Sequence, residues 1–193
     1  PIFNLAGELG IVFVMHTGTG LETVVHERGP GAAIINYTNQ MGDAINSCQY
    51  LVAGGVLDRN PDAKVAFIES GASWLVALGE RMDEVSVAHA NFVHPKLSRS
   101  PSQIIDDQVW ASFQHDRACI AAAAAELPGA KNVMWGSDYP HAEGTFPISR
   151  RLTDELFEGI NVSEKIKADI LGMNGARLFG VTPEVATSEK IAA

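Results

Sequence analysis

Hydrophobic positions along this chain switch repeatedly between two periods, and the switching outlines its elements. Residues 1–9 read as a short helix, with proline tolerated in the first turn and Gly10 where helices commonly stop. Residues 11–15 form a continuous, β-branched apolar run, the mark of a strand buried on both faces. Gly18, Thr19 and Gly20 break it, and a polar loop with Gly29, Pro30 and Gly31 follows. From 39 to 57 the apolar positions Met41, Ala44, Ile45, Cys48, Leu51 and Val52 recur at three- and four-residue steps, one face of a helix. Asn60-Pro61-Asp62 is a turn signal, and Lys64–Ile68 reads as a second short buried strand.

The alternation then repeats. Residues 72–87 carry Leu75, Leu78 and Met82 at helical spacing, whereas 94–101, rich in Pro and Ser, reads as irregular and too polar for core. Val109–Phe113 reads as a third strand, 117–127 as an alanine-rich helix and Val133–Trp135 as a fourth strand. A loop over 136–147 and helices over 148–158 and 163–171 complete the pattern, with Ser163 suited to cap the last. The tail, 181–193, has no convincing period and is expected to be peripheral. Strands alternating with helices imply parallel pairing through right-handed crossovers, so the predicted class is α/β. A whole (β/α)₈ barrel takes about 250 residues and eight strands. Four strands leave a small doubly wound sheet or half a barrel. No nucleotide-binding glycine motif follows the first strand, since His16-Thr17-Gly18-Thr19-Gly20 fits neither template.

Composition narrows the function classes. The 193 residues are 46% hydrophobic and 19% charged, ordinary for a folded globular chain. A net charge of −9 argues against nucleic acid or an anionic membrane as partner. The longest apolar stretches, 11–15 and 118–125, fall far short of the roughly 20 residues that span a bilayer. With no secretion signal in view, a cytoplasmic location is expected. Cys48 and Cys119 lie in helix-like segments and are expected to be buried free thiols. The chain starts at Pro1, which leaves open an excised, processed or truncated product.

Three polar residues interrupt the apolar strands at equivalent places: His16 ends the first, Glu69 ends the second, and Asp138 lies just past the fourth. In a parallel barrel such residues project into the mouth at the C-terminal face, where active sites are built. Strand alternation puts His16 on the face of Val12 and Val14, and Glu69 on that of Val65 and Phe67. An imidazole with two carboxylates suits zinc, manganese or iron, or acid–base work without metal. Each has a plainer reading: His16 as a core histidine, Asp138 as a cap for the turn at Tyr139-Pro140, Glu69 as a partner of Arg81 or Lys64.

The segment Trp135-Gly136-Ser137-Asp138-Tyr139-Pro140-His141 resembles the strand-eight signature of the amidohydrolase-related family of metal-dependent hydrolases and non-oxidative decarboxylases. Val14-Met15-His16-Thr17-Gly18, Phe67-Ile68-Glu69-Ser70-Gly71 and Asn174-Gly175-Ala176-Arg177-Leu178-Phe179-Gly180 fit it in order and spacing. The resemblance implies that residues 1–180 are the C-terminal half of a TIM barrel, strands five to eight, with 181–193 a tail. It makes His16 and Asp138 metal ligands, Asp138 also a proton handler, and leaves Glu69 and His141 as further catalytic candidates. His141 reads equally well as an exposed loop residue. Zinc is the first choice of metal, with manganese or iron as alternatives.

Two departures stand out. Many members carry histidine at the end of strand six, where this chain has Glu69, and the family's first-strand ligand pair has no counterpart here. His26, His89, His94 and His115 fall in loops or helix-like stretches and are expected at the surface. The expected function is a metal-dependent hydrolase acting on a small carboxylated or cyclic substrate. A metal-dependent decarboxylase of an aromatic acid is the alternative, and a catalytically silent half-barrel module a third. As a half-barrel the chain is expected to form a homo-oligomer or to pair with a missing N-terminal half. Val12, Val14, Val65 and Phe67 would then be open to water in the isolated chain. With two ligands, it should carry well under one metal per chain.

Overall fold

The computed structural model describes residues 1–18 and 26–182. Within them the chain forms a four-stranded parallel sheet in the order β1 (Val12–His16), β2 (Lys64–Ile68), β3 (Val109–Phe113) and β4 (Val133–Trp135). β2, β3 and β4 begin and end where the apolar runs do, and β1 is shifted one residue, so that His16 is its last member. α1 (Ile2–Leu9) precedes β1, and between the strands run α2 (Ala32–Ala53), α3 (Val56–Arg59), α4 (Trp74–Ala88), α5 (Pro101–Gln108) and α6 (Arg117–Ala124). After β4 come α7 (Ser149–Phe157), α8 (Glu164–Ala168), a π-helical stretch (Asp169–Met173) and α9 (Asn174–Phe179). The predicted glycine loop at Thr19 and Gly20 and most of the predicted tail, 183–193, lie outside the described residues.

Residues 94–100 are irregular, as expected, but α5 starts at Pro101 and is a helix the apolar pattern did not announce. Ser100 accepts from the Gln103 backbone N–H while the Gln103 side chain returns to the Ser100 N–H, and Pro101 occupies the first helical position. This capping box satisfies two N–H groups that a helix start otherwise leaves orphaned. The helix then docks through Ile104 and Ile105, both buried, and Gln108 donates from its amide to the carbonyls of Asn60 and Ala63 at 2.8 and 2.9 Å. The long helix also starts earlier than its apolar period suggested, at Ala32, because Gly31 supplies a left-handed φ of 83° at its cap. The double glycine at 54–55 ends it.

The two faces of the sheet differ. Val65, Phe67, Val109, Ala111, Phe113 and Val133 turn toward the helices and are at most 1% exposed. Phe13, Met15 and Trp135 share that side, where Leu51, Leu75, Ile104, Ile105, Ile120 and Ile170 meet them. The expectation that Val65 and Phe67 face an open interior is therefore wrong. On the opposite face stand Val12, Ala66, Ile68, Trp110 and Met134, with Leu178 of α9 packed on them. Val14, on that face too, is 53% exposed. Cys48 and Cys119 are free and buried, as expected, and burial pushes the Cys48 thiol up to about 12. No helix among the described residues is long and apolar enough to cross a membrane.

Candidate active site

His16, Glu69 and Asp138 come together at the C-terminal ends of the strands, and His141 joins them from the loop after β4. The His16 Nε2 lies 3.1 Å from Glu69 Oε1, and the His141 Nδ1 lies 3.4 Å from the same oxygen. His141 Nδ1 is also 2.8 Å from Asp138 Oδ1. Donor atoms of Glu69, Asp138 and His141 all fall within 4.8 Å of one another. The plainer readings of Glu69 fail: Arg81 pairs with Glu84, and Lys64 stands over the Trp110 ring.

Simple strand alternation misplaced Glu69, and the reason is local. Its φ is 61°, and that of Asp138 is 55°, so both carboxylates leave their strands through left-handed backbone that few non-glycine residues adopt. The turn at Glu69 reverses the side on which its carboxylate emerges, bringing it to His16. Such strain persists only where surrounding structure over-determines it. Here the Glu69 N–H donates to Ser112 Oγ at 3.1 Å. Asp116 Oδ2 accepts from the Ala72 and Ser73 N–H groups at 2.9 and 2.8 Å, tying down the rest of the β2 loop. Around Asp138, the loop doubles back so tightly that a Cβ on Gly144 would lie 2.8 Å from the Asp138 carbonyl oxygen. Ser112 and Asp116 were not singled out in the sequence, because their work is to hold backbone 43 to 44 residues away.

Electrostatics follow from that crowding. Burial and the neighbouring Asp138 carboxylate raise the Glu69 pKa, only partly offset by His16. Burial opposes ionisation of Asp138 as well, but the polar side chains of Glu69, His141 and Gln114 prevail and hold it below the usual range. The Asp138 carboxylate in turn raises the His141 imidazole. Asp138 is 3% exposed at its side chain, and its Oδ2 is buried with no hydrogen-bond partner. His16 Nδ1 meets the Thr17 carbonyl at 2.9 Å. Since a carbonyl only accepts, Nδ1 donates there and leaves Nε2 to face Glu69. Beside the cluster a cavity of about 660 Å³ is lined by Thr17, Tyr37, Met41, Glu69, Gln114 and His115, among others. His26, His89 and His94 are exposed away from the cluster, as expected; His115 is exposed too but lines this cavity.

The family model described as Amidohydrolase matches residues 1–181. The chain belongs to the amidohydrolase family. Its members include enzymes of the kind named among its relatives. The chain is 26% identical over 189 residues to a 2-amino-3-carboxymuconate-6-semialdehyde decarboxylase of Dictyostelium discoideum, covering 95% of this chain and 48% of that protein. The structure resembles a 5-carboxyvanillate decarboxylase from Sphingomonas paucimobilis, with a TM-score of 0.68, 22% identity, and coverage of 94% of this chain and 53% of that one. It also resembles a dihydroxybenzoic acid decarboxylase from a Polaromonas species, described with bound manganese and 2-nitroresorcinol, at a TM-score of 0.58 and 16% identity. That match covers 91% of this chain and 51% of the other. The chain thus spans about half the length of the relatives it matches.

Proposed function

We propose that the chain is the C-terminal half of a divalent-metal-dependent, non-oxidative decarboxylase barrel acting on a hydroxylated aromatic or similar unsaturated acid. The carrying observation is the convergence of His16, Glu69, Asp138 and His141 at the C-terminal ends of parallel strands. The decarboxylases among its relatives favour this reaction over hydrolysis, and the manganese described in one of them favours a hard divalent ion over zinc alone. The orphaned, buried Oδ2 of Asp138 supports the fit of a cation, and His16 supplies a ring nitrogen beside Glu69. Among the described residues β1 and β4 each pair on one side only, and these edges with the exposed Val14 support completion by four further strands, from a longer chain or a second copy.

When bound, the ion supplies Lewis-acid attraction for the substrate carboxylate and an adjacent oxygen. The chain's own groups do the rest. The cavity beside Glu69 is of a size to hold a single ring. In decarboxylation the bond to the carboxyl carbon breaks, its electron pair stays on the ring carbon, and a proton takes the vacated place. His141 is the proton carrier we assign: the Asp138 carboxylate holds its imidazole protonated to higher pH than usual, and it is open to the mouth.

Product analysis tests the reading. The chain with manganese and 2,6-dihydroxybenzoate or 5-carboxyvanillate is expected to release carbon dioxide, and Asp138→Asn to abolish it. Incorporation of water-derived ¹⁸O without carbon dioxide would move the assignment to hydrolysis, and neither product would leave the silent-module alternative.

A further inference from the structure

The cavity beside the cluster is lined by charge of one sign. Glu69, Asp116 and Glu143 border it, and among the described residues no lysine or arginine does. The loops that follow β2, β3 and β4, residues 69–73, 114–116 and 136–148, contain no Lys or Arg, and Arg28, in the loop after β1, is not a lining residue. Arg117, next after the third-strand loop, donates instead to the carbonyls of Glu155, Leu156 and Glu158. The three acids are not equivalent. Asp116 accepts from the backbone N–H groups of Ala72, Ser73 and Cys119, which fastens its carboxylate to the loops. Glu69 belongs to the cluster with His16 and His141. Glu143 is exposed and makes no ion pair or side-chain hydrogen bond among the described residues. Its charge nonetheless reaches His141, adding to the larger effects of Asp138 and Glu69.

We infer that this cavity selects a ring monoacid bearing hydroxyl or amino groups over a ring bearing a second carboxylate, and that Glu143 is the residue that sets the preference. It rests on the decarboxylase reading proposed above and narrows the substrate class. One carboxylate of the substrate belongs at the cluster, where its bond to the ring breaks. The rest of the ring then lies along the cavity, which opens beside Glu69. There it meets Glu143, Gln114 and Tyr37, side chains able to accept a hydrogen bond. A phenolic O–H or an amino N–H donates to such groups. A second carboxylate finds no cation to pair with and meets Glu143 as a like charge, which discriminates against it. A cleft lined by one sign of charge focuses its field, so the exposure of Glu143 does not cancel the effect.

Titration calorimetry of the 193-residue chain with manganese, using 3-hydroxybenzoate and isophthalate as probes, tests this without recourse to turnover. The two acids differ at one ring position only, hydroxyl in one and carboxylate in the other. At low salt 3-hydroxybenzoate is expected to bind at least about tenfold more tightly, and the gap should shrink as salt is raised. Glu143→Gln should bring the two affinities within about threefold of each other, because the like charge is gone. Glu143→Arg should reverse their order, since a guanidinium fork pairs with a carboxylate. Circular dichroism on each variant shows that the fold is kept. Equal affinity for the two acids in the unsubstituted chain overturns the inference alone, as does a folded Glu143→Gln chain that keeps the tenfold gap. Binding of neither acid overturns it together with the aromatic-acid reading on which it rests.

Discussion

The odd-numbered and even-numbered residues of the four strands meet different surroundings. Val65, Phe67, Val109, Ala111, Phe113 and Val133 lie at 1% exposure or less beneath helices of this same chain. Across the sheet, Ala66, Trp110 and Met134 have Leu178 for a cover, while Val14 stands 53% exposed. Chemistry is divided the same way. The helix-facing side holds apolar packing and structural hydrogen bonds, and the other side ends in His16 and the carboxylates that turn toward it. Stability and function are thereby separated by the thickness of one sheet: what holds the chain together is local to it, and what the proposed barrel would complete is the face that carries the site.

The sharpest test of this contrast is Phe67→Ala. Phe67 is almost fully buried and makes an edge-to-face contact with Trp74 at 5.5 Å between ring centroids. Its truncation should cost about 3–5 kcal/mol, read as a drop in the urea midpoint. A loss below about 1 kcal/mol would mean the helix side is not the stabilising one.

A smaller effect should come from the polar fastening on the helix side. Asp58 accepts from the Ser98 N–H and hydroxyl at 2.8 and 2.7 Å and pairs with Arg99 at 3.5 Å. Burial opposes its ionisation, yet these partners win and its pKa is lowered. A carboxylate lowered by folding contributes stability that is present above its unfolded pKa and is lost as pH falls through the folded one. Asp58→Asn should therefore cost about 1 kcal/mol at neutral pH and progressively less below about pH 4. A cost that grows on acidification would contradict the sign.

The smallest effect belongs to the open face. Val14→Ser in the isolated chain should change stability by less than about 0.5 kcal/mol, because the side chain already meets water. The same substitution in a completed barrel should cost more, since Val14 would then lose burial. Equal, small effects in both would argue that the face is never covered.

Legibility in the sequence followed the same division. β2, β3 and β4 were readable to the residue because strands buried on both faces write themselves as short, mainly apolar runs bounded by turns. α5 was missed because Ser100, Pro101 and Gln103 look like loop chemistry until a capping box is recognised in them, a signal that was present in the chain. His16, Asp138 and Glu69 could be named from their places at strand ends, but the direction of Glu69 could not. Its side follows from one positive φ held by Ser112, and no periodicity reports a single backbone reversal.

The sequence by itself determined the class of fold, the order of its elements and the residues able to carry chemistry, since each depends on local period, turn composition and residue type. Only the tertiary structure decided which face of the sheet the chain covers for itself and that two carboxylates and two imidazoles meet in one cluster. Both depend on contacts between residues tens of positions apart, such as the Ser112 hydroxyl on the Glu69 backbone and Leu178 against Trp110. Distance along the chain hides such contacts, and folding alone creates them.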